Sequence, residues 1–586
     1  MSNGHNSIGE YGPTLNISEE IHKMKYRGNN ETFKEAMTRV ADSLKDDDEH
    51  FTHFRNTLYN MRFLPAGRVQ SAMGAPRKVT PYNCFVSMTI PDSMGGIAKA
   101  SGEAARTMQL GGGIGYDFST LRPRGALIKS LESRSSGPVS FMGVFDAWCK
   151  TISSAGHRRG AQMGVLRVDH PDIEEFIRAK NNSNQLEQFN ISVAVTDKFM
   201  AAVKEDGDFD LVFDGRVYKT IRAKALWDDI LRSTWDWAEP GILFIDRINQ
   251  KNNLWYCETI AATNPCAEQP LPPHGACLLG SFNLAKYVVK GAGSYSFDMG
   301  QLQHDIPHVV RAMDNVVDRA MYPLPEQEAE AKNKRRMGLG VTGVANAIEA
   351  LGFPYGSQKF LDKFEEIMEV IRDGCYKTSV ALAIEKGAFP LFDTRYLDSD
   401  FAKTLPHALR EDIRKYGIRN SHLLSVAPTG TISLTADNVS SGIEPVFSLF
   451  YDRTIQTFDG PRVERVEDYG YREFGVKGYT ADSMSVFDHV KVLNLASKYV
   501  DSACSKTCNV GDNVTWAEFK DVYMQAYEGG ASGCTTFRAS GKRYGILNAA
   551  ASEESVDEPQ VEDTKDFVDE GGACYYDPTT GLKTCE

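Results

Sequence analysis

What this 586-residue chain lacks narrows its function first. It has no apolar run of the roughly 20 residues that a membrane-spanning helix needs. Its first residues, Met1-Ser2-Asn3-Gly4-His5, are not a basic segment leading into an apolar one, so no secretory signal is expected and the cytoplasm is the default compartment. Basic charge is not in excess. The net charge of −13 argues against a dedicated surface for a DNA or RNA polymer, while leaving room for a local pocket that takes a free nucleotide. No Cys-x-x-Cys pair occurs, which counts against a plain dithiol oxidoreductase. The eleven cysteines are odd in number and too widely spread for a small secreted disulfide scaffold. Cys504 and Cys508 are the nearest approach to a zinc pair, at helical i,i+4 spacing, but no second pair adjoins them, so they read as structural thiols and no protein-held metal is expected. No lysine follows Gly430-Thr431, which excludes a Walker A loop. No repeat of solenoid length is present.

What is present divides the chain in three. Residues 1–62 read as a short helical lobe: Asn16-Ile17-Ser18-Glu19 offers a cap and an acidic first turn, and Phe33, Met37, Val40, Ala41 and Leu44 recur at helical spacing. Residues 63–548 alternate short apolar runs with longer helical stretches. Candidate strands are 83–88, 114–118, 163–168, 189–195, 277–282, 339–342, 423–426, 444–447 and 534–537, with helices over 361–386 and 490–503. Such alternation implies an α/β fold with largely parallel strands, open or closed. Residues 549–586 begin with an acidic stretch poor in aromatics, which reads as a flexible tether, and carry Cys574 and Cys585 near the end.

The chemistry concentrates in Thr263-Asn264-Pro265-Cys266-Ala267-Glu268-Gln269, a thiol set between an amide and a carboxylate. Pro265 blocks a helix, and in an extended segment Asn264, Cys266 and Glu268 would share one side. A second thiol, Cys277, follows in Gly275-Ala276-Cys277-Leu278-Leu279-Gly280. Taken alone, a cysteine in such a place also reads as a buried, inert thiol.

These residues resemble the finger loop of ribonucleotide reductases. The likeness continues, in order, through Tyr82-Asn83-Cys84-Phe85-Val86, Gly111-Gly112-Gly113-Ile114-Gly115, Arg335-Arg336-Met337-Gly338-Leu339-Gly340 and Ala427-Pro428-Thr429-Gly430-Thr431-Ile432-Ser433, and ends in the paired tail cysteines. It implies a ten-stranded α/β barrel with the Cys266 loop inserted through its centre. It implies a ribonucleotide substrate reduced to a 2'-deoxyribonucleotide, with Cys266 as thiyl radical, Glu268 as general base, Asn264 holding a ribose hydroxyl, and Cys84 with Cys277 supplying two electrons and ending as a disulfide. Substrate contacts are implied at Ser71, Asn83, Gly113, Pro428, Thr429, Gly430, Thr431 and Ile432, where a permissive glycine and free N–H groups suit phosphate. Effector (dNTP or ATP) contacts are implied at Asp92, Arg122, Arg158, Arg159 and Gln162. Cys574 and Cys585 would relay electrons from thioredoxin or a glutaredoxin-like protein, and a homodimer is expected. The family's N-terminal nucleotide-binding cone has no counterpart before Phe63.

The radical source is read from what the family's branches require. Members served by a separate metal-containing subunit carry adjacent tyrosines where this chain has Thr535-Thr536-Phe537, and Arg543-Tyr544-Gly545 is a poor match to a glycyl-radical motif. The class II type, dependent on adenosylcobalamin, remains. The alternatives are a subunit-dependent reductase whose tyrosines have been replaced, and a catalytically silent nucleotide-sensing barrel.

Overall fold

The structure, a computed structural model, describes residues 11–129, 131–154, 158–159, 161–181, 185–457, 460–481, 484–538, 574–576 and 583–585. The amino-terminal lobe is three helices, Asn16–Tyr26, Phe33–Leu44 and Asp48–Tyr59. The apolar face read from sequence is the buried one: Phe33, Met37, Val40, Ala41 and Leu44 all face inward. Thr32 and Glu35 cap that helix reciprocally, satisfying two backbone donors that the first turn leaves open. The expected Asn16 cap does not form. Asn16 is already inside its helix, and the entry is held from a distance: Asp437 Oδ1 accepts from Thr14 N at 2.6 Å and Leu15 N at 3.0 Å. Ser18 Oγ donates to Leu434 O at 2.6 Å, so the lobe is fastened to the helix Gly430–Thr435.

Two sheets carry the rest. The larger runs in the order Ala276–Cys277, Cys84–Val86, Gly113–Asp117, Gln162–Arg167, Phe189–Val195, Gly241–Phe244, Gly533–Phe537, Thr507–Asn509. From Cys84–Val86 to Gly241–Phe244 every pairing is parallel, and antiparallel partners join at both flanks. The strands are buried along nearly their whole length, as expected when helices cover a parallel sheet. The smaller sheet sets Leu279–Asn283 between Phe63–Pro65, antiparallel, and Gly338–Thr342, parallel. Parallel bridges at Leu339↔Leu424 and Val426↔Cys504 extend its edge. Among the described residues the two sheets do not join into one closed ladder.

Three expected strands come out differently. The run 277–282 is two strands in two sheets, parted at Leu278, whose carbonyl accepts from Gly338 N at 2.7 Å. Both halves are buried, so hydrophobicity alone does not mark the crossover. The run 423–426 forms bridges rather than a ladder because Asp501 takes its donors, Leu423 N at 2.7 Å and Leu424 N at 3.0 Å. The run 444–447 keeps one bridge, Val446↔Thr480. Cys504 and Cys508 are not on a helix either: Cys504 bridges to Val426, and Cys508 lies in Thr507–Asn509. No described helix is long and apolar enough to cross a membrane.

Candidate active site

Ala262–Thr263 and Pro270–Leu271 form a two-stranded hairpin, and residues 264–269 are its tip. The tip is not extended. Ala267 has φ +67°, and Ala267 N donates to Asn264 O at 3.0 Å, so the chain turns over between the thiol and the carboxylate. The simple alternation expected for Asn264, Cys266 and Glu268 therefore does not apply. Asn264 builds the turn instead, with its Oδ1 accepting from Gln269 N at 2.9 Å.

The finger lies between the sheets, and missing side chains make room for it. A Cβ on Gly115 would stand 1.8 Å from Thr263 O, and one on Gly338 would stand 2.1 Å from Gln269 Nε2. One glycine belongs to each sheet, so the hairpin touches both where a methyl group would exclude it. The tip is tied down from both sides: Asn190 Nδ2 donates to Pro265 O at 3.3 Å, while Ser425 Oγ and Ala503 N each donate to Glu268 O at 3.0 Å. Gly115→Ala is expected to force hairpin and sheet apart, costing about 3 kcal/mol, the upper end of typical overpacking costs, together with most of the turnover. Denaturant unfolding and a turnover assay check it, and wild-type values in both would refute this packing.

The remaining thiols stand beside the finger. Cys84 and Cys277 are directly opposite each other across the antiparallel pair, and both are buried. Val86 N donates to Gly275 O at 2.9 Å, so the 84/277 pair, two residues along, is also of the hydrogen-bonded kind, with Cα atoms about 5.5 Å apart. That lies inside the roughly 4.4–6.8 Å a disulfide spans. Gly113 sits between Cys84 and the finger; its missing Cβ would meet Pro265 Cγ at 3.2 Å and Cys84 Sγ at 3.3 Å. Burial, and then the neighbouring Glu268 and Cys84, push the Cys277 thiol well above the ordinary range. Cys277 is therefore a protonated hydrogen donor at neutral pH, not a thiolate. Cys266 is buried and its sulfur is held in a disulfide, which must open before that thiol can act.

The other residues singled out in the sequence fall in separate places. Thr429 adopts φ +57° at the entry to Gly430–Thr435, where its Oγ1 accepts from Gly442 N at 2.7 Å and lies 2.8 Å from Thr342 Oγ1. Pro428 and Gly430 are half-buried, and Thr431 and Ile432 buried, along the same turn. Ser71 is buried on the helix Gly67–Ala72, and half-buried Asn83 precedes the Cys84 strand. Asp92 and Arg122 meet in an ion pair at 2.8 Å, both half-buried. Arg158–Arg159 pairs with Ser153–Ser154, their side chains lying outside the described residues, as do Gly156, His157 and Gly160. Gln162 is fully buried, with Tyr116 Oη donating to its Oε1 at 2.8 Å and its Nε2 donating to Phe145 O at 3.2 Å, so in this conformation its amide is spent inside the core. In the tail, Cys574–Tyr576 and Lys583–Cys585 form a hairpin with Cys574 opposite Cys585, and the second strand lies against Gly430–Thr435. The expected tether, 549–570, is outside the described residues.

Sequence reading passed over the amide of Gln269. Gln269 is buried with neither amide atom hydrogen-bonded among the described residues, and Asn264 Nδ2 is likewise unspent. Buried polar atoms left so cost about 1–3 kcal/mol each, a cost that a polar ligand at the finger tip would offset. The signal was Gln269's place at the end of the finger motif.

Residues 82–537 match the family described as "Ribonucleotide reductase, barrel domain". The chain is 34% identical to the vitamin B12-dependent ribonucleoside-diphosphate reductase of Thermoplasma acidophilum, over 93% of this chain and 73% of that one. It is 35% identical to a protein of the same name from Mycobacterium tuberculosis (strain CDC 1551 / Oshkosh), over 85% and 73%. It is also 28% identical to the ribonucleoside-diphosphate reductase large subunit of Vaccinia virus, over 70% and 56%.

Proposed function

The chain belongs to the ribonucleotide reductase family, and we propose that it converts ribonucleoside diphosphates to 2'-deoxyribonucleoside diphosphates through a thiyl radical on Cys266. The observation that supports this reading is the finger tip, where Pro265, next to Cys266, lies across Gly113 from Cys84 and Glu268 acts on the thiol of Cys277, which stands opposite Cys84.

The difficulty of the reaction is the leaving group, since hydroxide departs poorly from an unactivated carbon. In the proposed sequence the Cys266 thiyl removes the 3'-hydrogen, and Glu268 takes the 3'-hydroxyl proton as general base. Asn264 Nδ2 and Gln269 hold the ribose hydroxyls. The 2'-hydroxyl leaves as water, taking its proton from the Cys84/Cys277 pair. The second hydrogen of that pair goes to C2', the pair closes as a disulfide, Glu268 returns its proton to the 3'-oxygen, and Cys266 returns the 3'-hydrogen. The balance is one C–O bond replaced by C–H, one water formed and two thiols oxidised. The protonated state of Cys277 suits it to donate a hydrogen. The turn Pro428–Ile432 is proposed to take the phosphates, with Ser71, Asn83 and Gly113 along the substrate path. The two sheets are proposed to be parts of one ten-stranded barrel, which the bridges at Leu339, Leu424, Val426 and Cys504 support.

Two relatives carry vitamin B12 dependence in their names, and the residues here fit that cofactor. No cluster of protein metal ligands adjoins Cys266 among the described residues, and cobalamin would bring its cobalt already ligated. At the tyrosine-pair positions stand Thr535 and Thr536, the latter 2.8 Å from Tyr523 Oη. Adenosylcobalamin, when bound, supplies the organic radical, and the protein's part is to place Cys266 and exclude water. Asp92 and Arg122, with Arg158, Arg159 and Gln162, are proposed to serve a dNTP or ATP effector, in a homodimer. Thioredoxin or a glutaredoxin-like protein is the proposed reductant.

The purified chain, given adenosylcobalamin, a dithiol and a ribonucleoside diphosphate, is expected to form deoxynucleotide with no second protein. Activity that requires a metal-loaded partner would overturn the cobalamin assignment.

A further inference from the structure

Away from the finger, three imidazoles from two packed helices converge. His53 lies on Asp48–Tyr59, and His304 and His308 lie on Met299–Arg319. Residues four apart share one helix face, so His304 and His308 meet the same neighbour, and His53 comes from it. His53 stacks on His308 with ring centroids 4.5 Å apart and lies edge-on to His304 at 5.0 Å. One ring nitrogen from each of the three lies within 4.8 Å of those of the other two. We infer that His53, His304 and His308 form a binding site for a divalent transition metal, with zinc the best match, that clamps the amino-terminal helical lobe to the helix Met299–Arg319.

The donor set decides the class of ion. Three imidazole nitrogens suit zinc, copper or nickel, whereas calcium and magnesium require oxygen. Zn–N bonds of about 2.0–2.1 Å in a tetrahedron place the nitrogens roughly 3.3 Å apart, so the rings must draw together. Rotation of exposed His304 and half-buried His53 and His308 provides that movement. Water completes the fourth position.

The surroundings orient the donors. Asp305 Oδ1 lies 3.6 Å from His304 Nδ1, which favours the proton on that nitrogen and leaves Nε2 for the ion. Asp305 is itself fixed, accepting from Arg62 Nε at 2.6 Å and Tyr287 Oη at 3.0 Å. His50 is not a fourth ligand. Its Nε2 bonds to His308 O at 2.9 Å, and its Nδ1 accepts from Asp46 N at 3.1 Å, which anchors the backbone under His308.

The test is calorimetric titration of zinc chloride into the chelator-treated, tag-free full chain, beside His304→Ala and the His53→Ala/His304→Ala pair. His304 is exposed, so its truncation spares the core. Wild type is expected to take up one zinc that the pair does not, His304→Ala to bind at least tenfold more weakly, and zinc to raise the melting temperature of wild type alone. Because thiols also bind zinc, the result is read as the difference between proteins. A second measurement needs no variant: zinc should protect His53 and His308 from histidine-selective acylation in wild type. Equal zinc uptake and affinity in wild type and the pair, or acylation unaffected by zinc, would overturn the site.

Discussion

Cys266→Ser is expected to abolish deoxynucleotide formation, with turnover at the assay background, while substrate affinity stays within about twofold of wild type. The substitution exchanges sulfur for oxygen and leaves the turn built by Asn264 and Ala267 in place. What it removes is a weak S–H bond. An O–H bond is much stronger, so a seryl radical does not form by the same route, and the 3'-hydrogen stays where it is. Both proteins are compared after treatment with a dithiol, because Cys266 is held in a disulfide in this structure. Equilibrium binding of substrate and a product assay check the two halves separately. Turnover within tenfold of wild type would remove Cys266 from the reaction, and lost binding would mean the finger had been disturbed.

The tail carries the second large effect. In the proposed sequence each turnover leaves Cys84 and Cys277 oxidised, and both are buried, so a protein reductant cannot reach them directly. Cys574 and Cys585 are register partners in a hairpin whose second strand lies against Gly430–Thr435, beside the proposed phosphate turn. Directly opposed residues are spaced for a disulfide, and a tethered dithiol raises the local thiol concentration to roughly millimolar. The variant Cys574→Ser/Cys585→Ser is therefore expected to complete about one turnover per site and stall with thioredoxin, and to recover with a small dithiol that can diffuse in. Sustained turnover with thioredoxin would release the tail from this role.

The finger motif was legible because its residue types are few and adjacent, and because Cys84 could be matched to Cys277 only if two strands met, as they do. The parallel strands were legible wherever a buried run is bounded by turns, as at Phe189–Val195. Gly241–Phe244 was not, since its apolar run continues into the helix Ile245–Lys251 without a break. The crossover at Leu278 and the capture of Leu423 and Leu424 by Asp501 depend on partners distant in sequence, which no local pattern announces. The same holds for Asp437 at the first helix, and for His53 meeting His304 and His308. The turn at Ala267 was hidden because a positive φ at alanine leaves no trace in composition.

The central claim is that Cys84 and Cys277 supply the electrons to a ribose activated by Cys266. It is tested most directly by allowing the reduced, tail-variant protein to react once, without external reductant, and mapping its disulfides by mass spectrometry against the deoxynucleotide formed. The account predicts one Cys84–Cys277 disulfide for each deoxynucleotide. Deoxynucleotide formed while Cys84 and Cys277 remain reduced would contradict it.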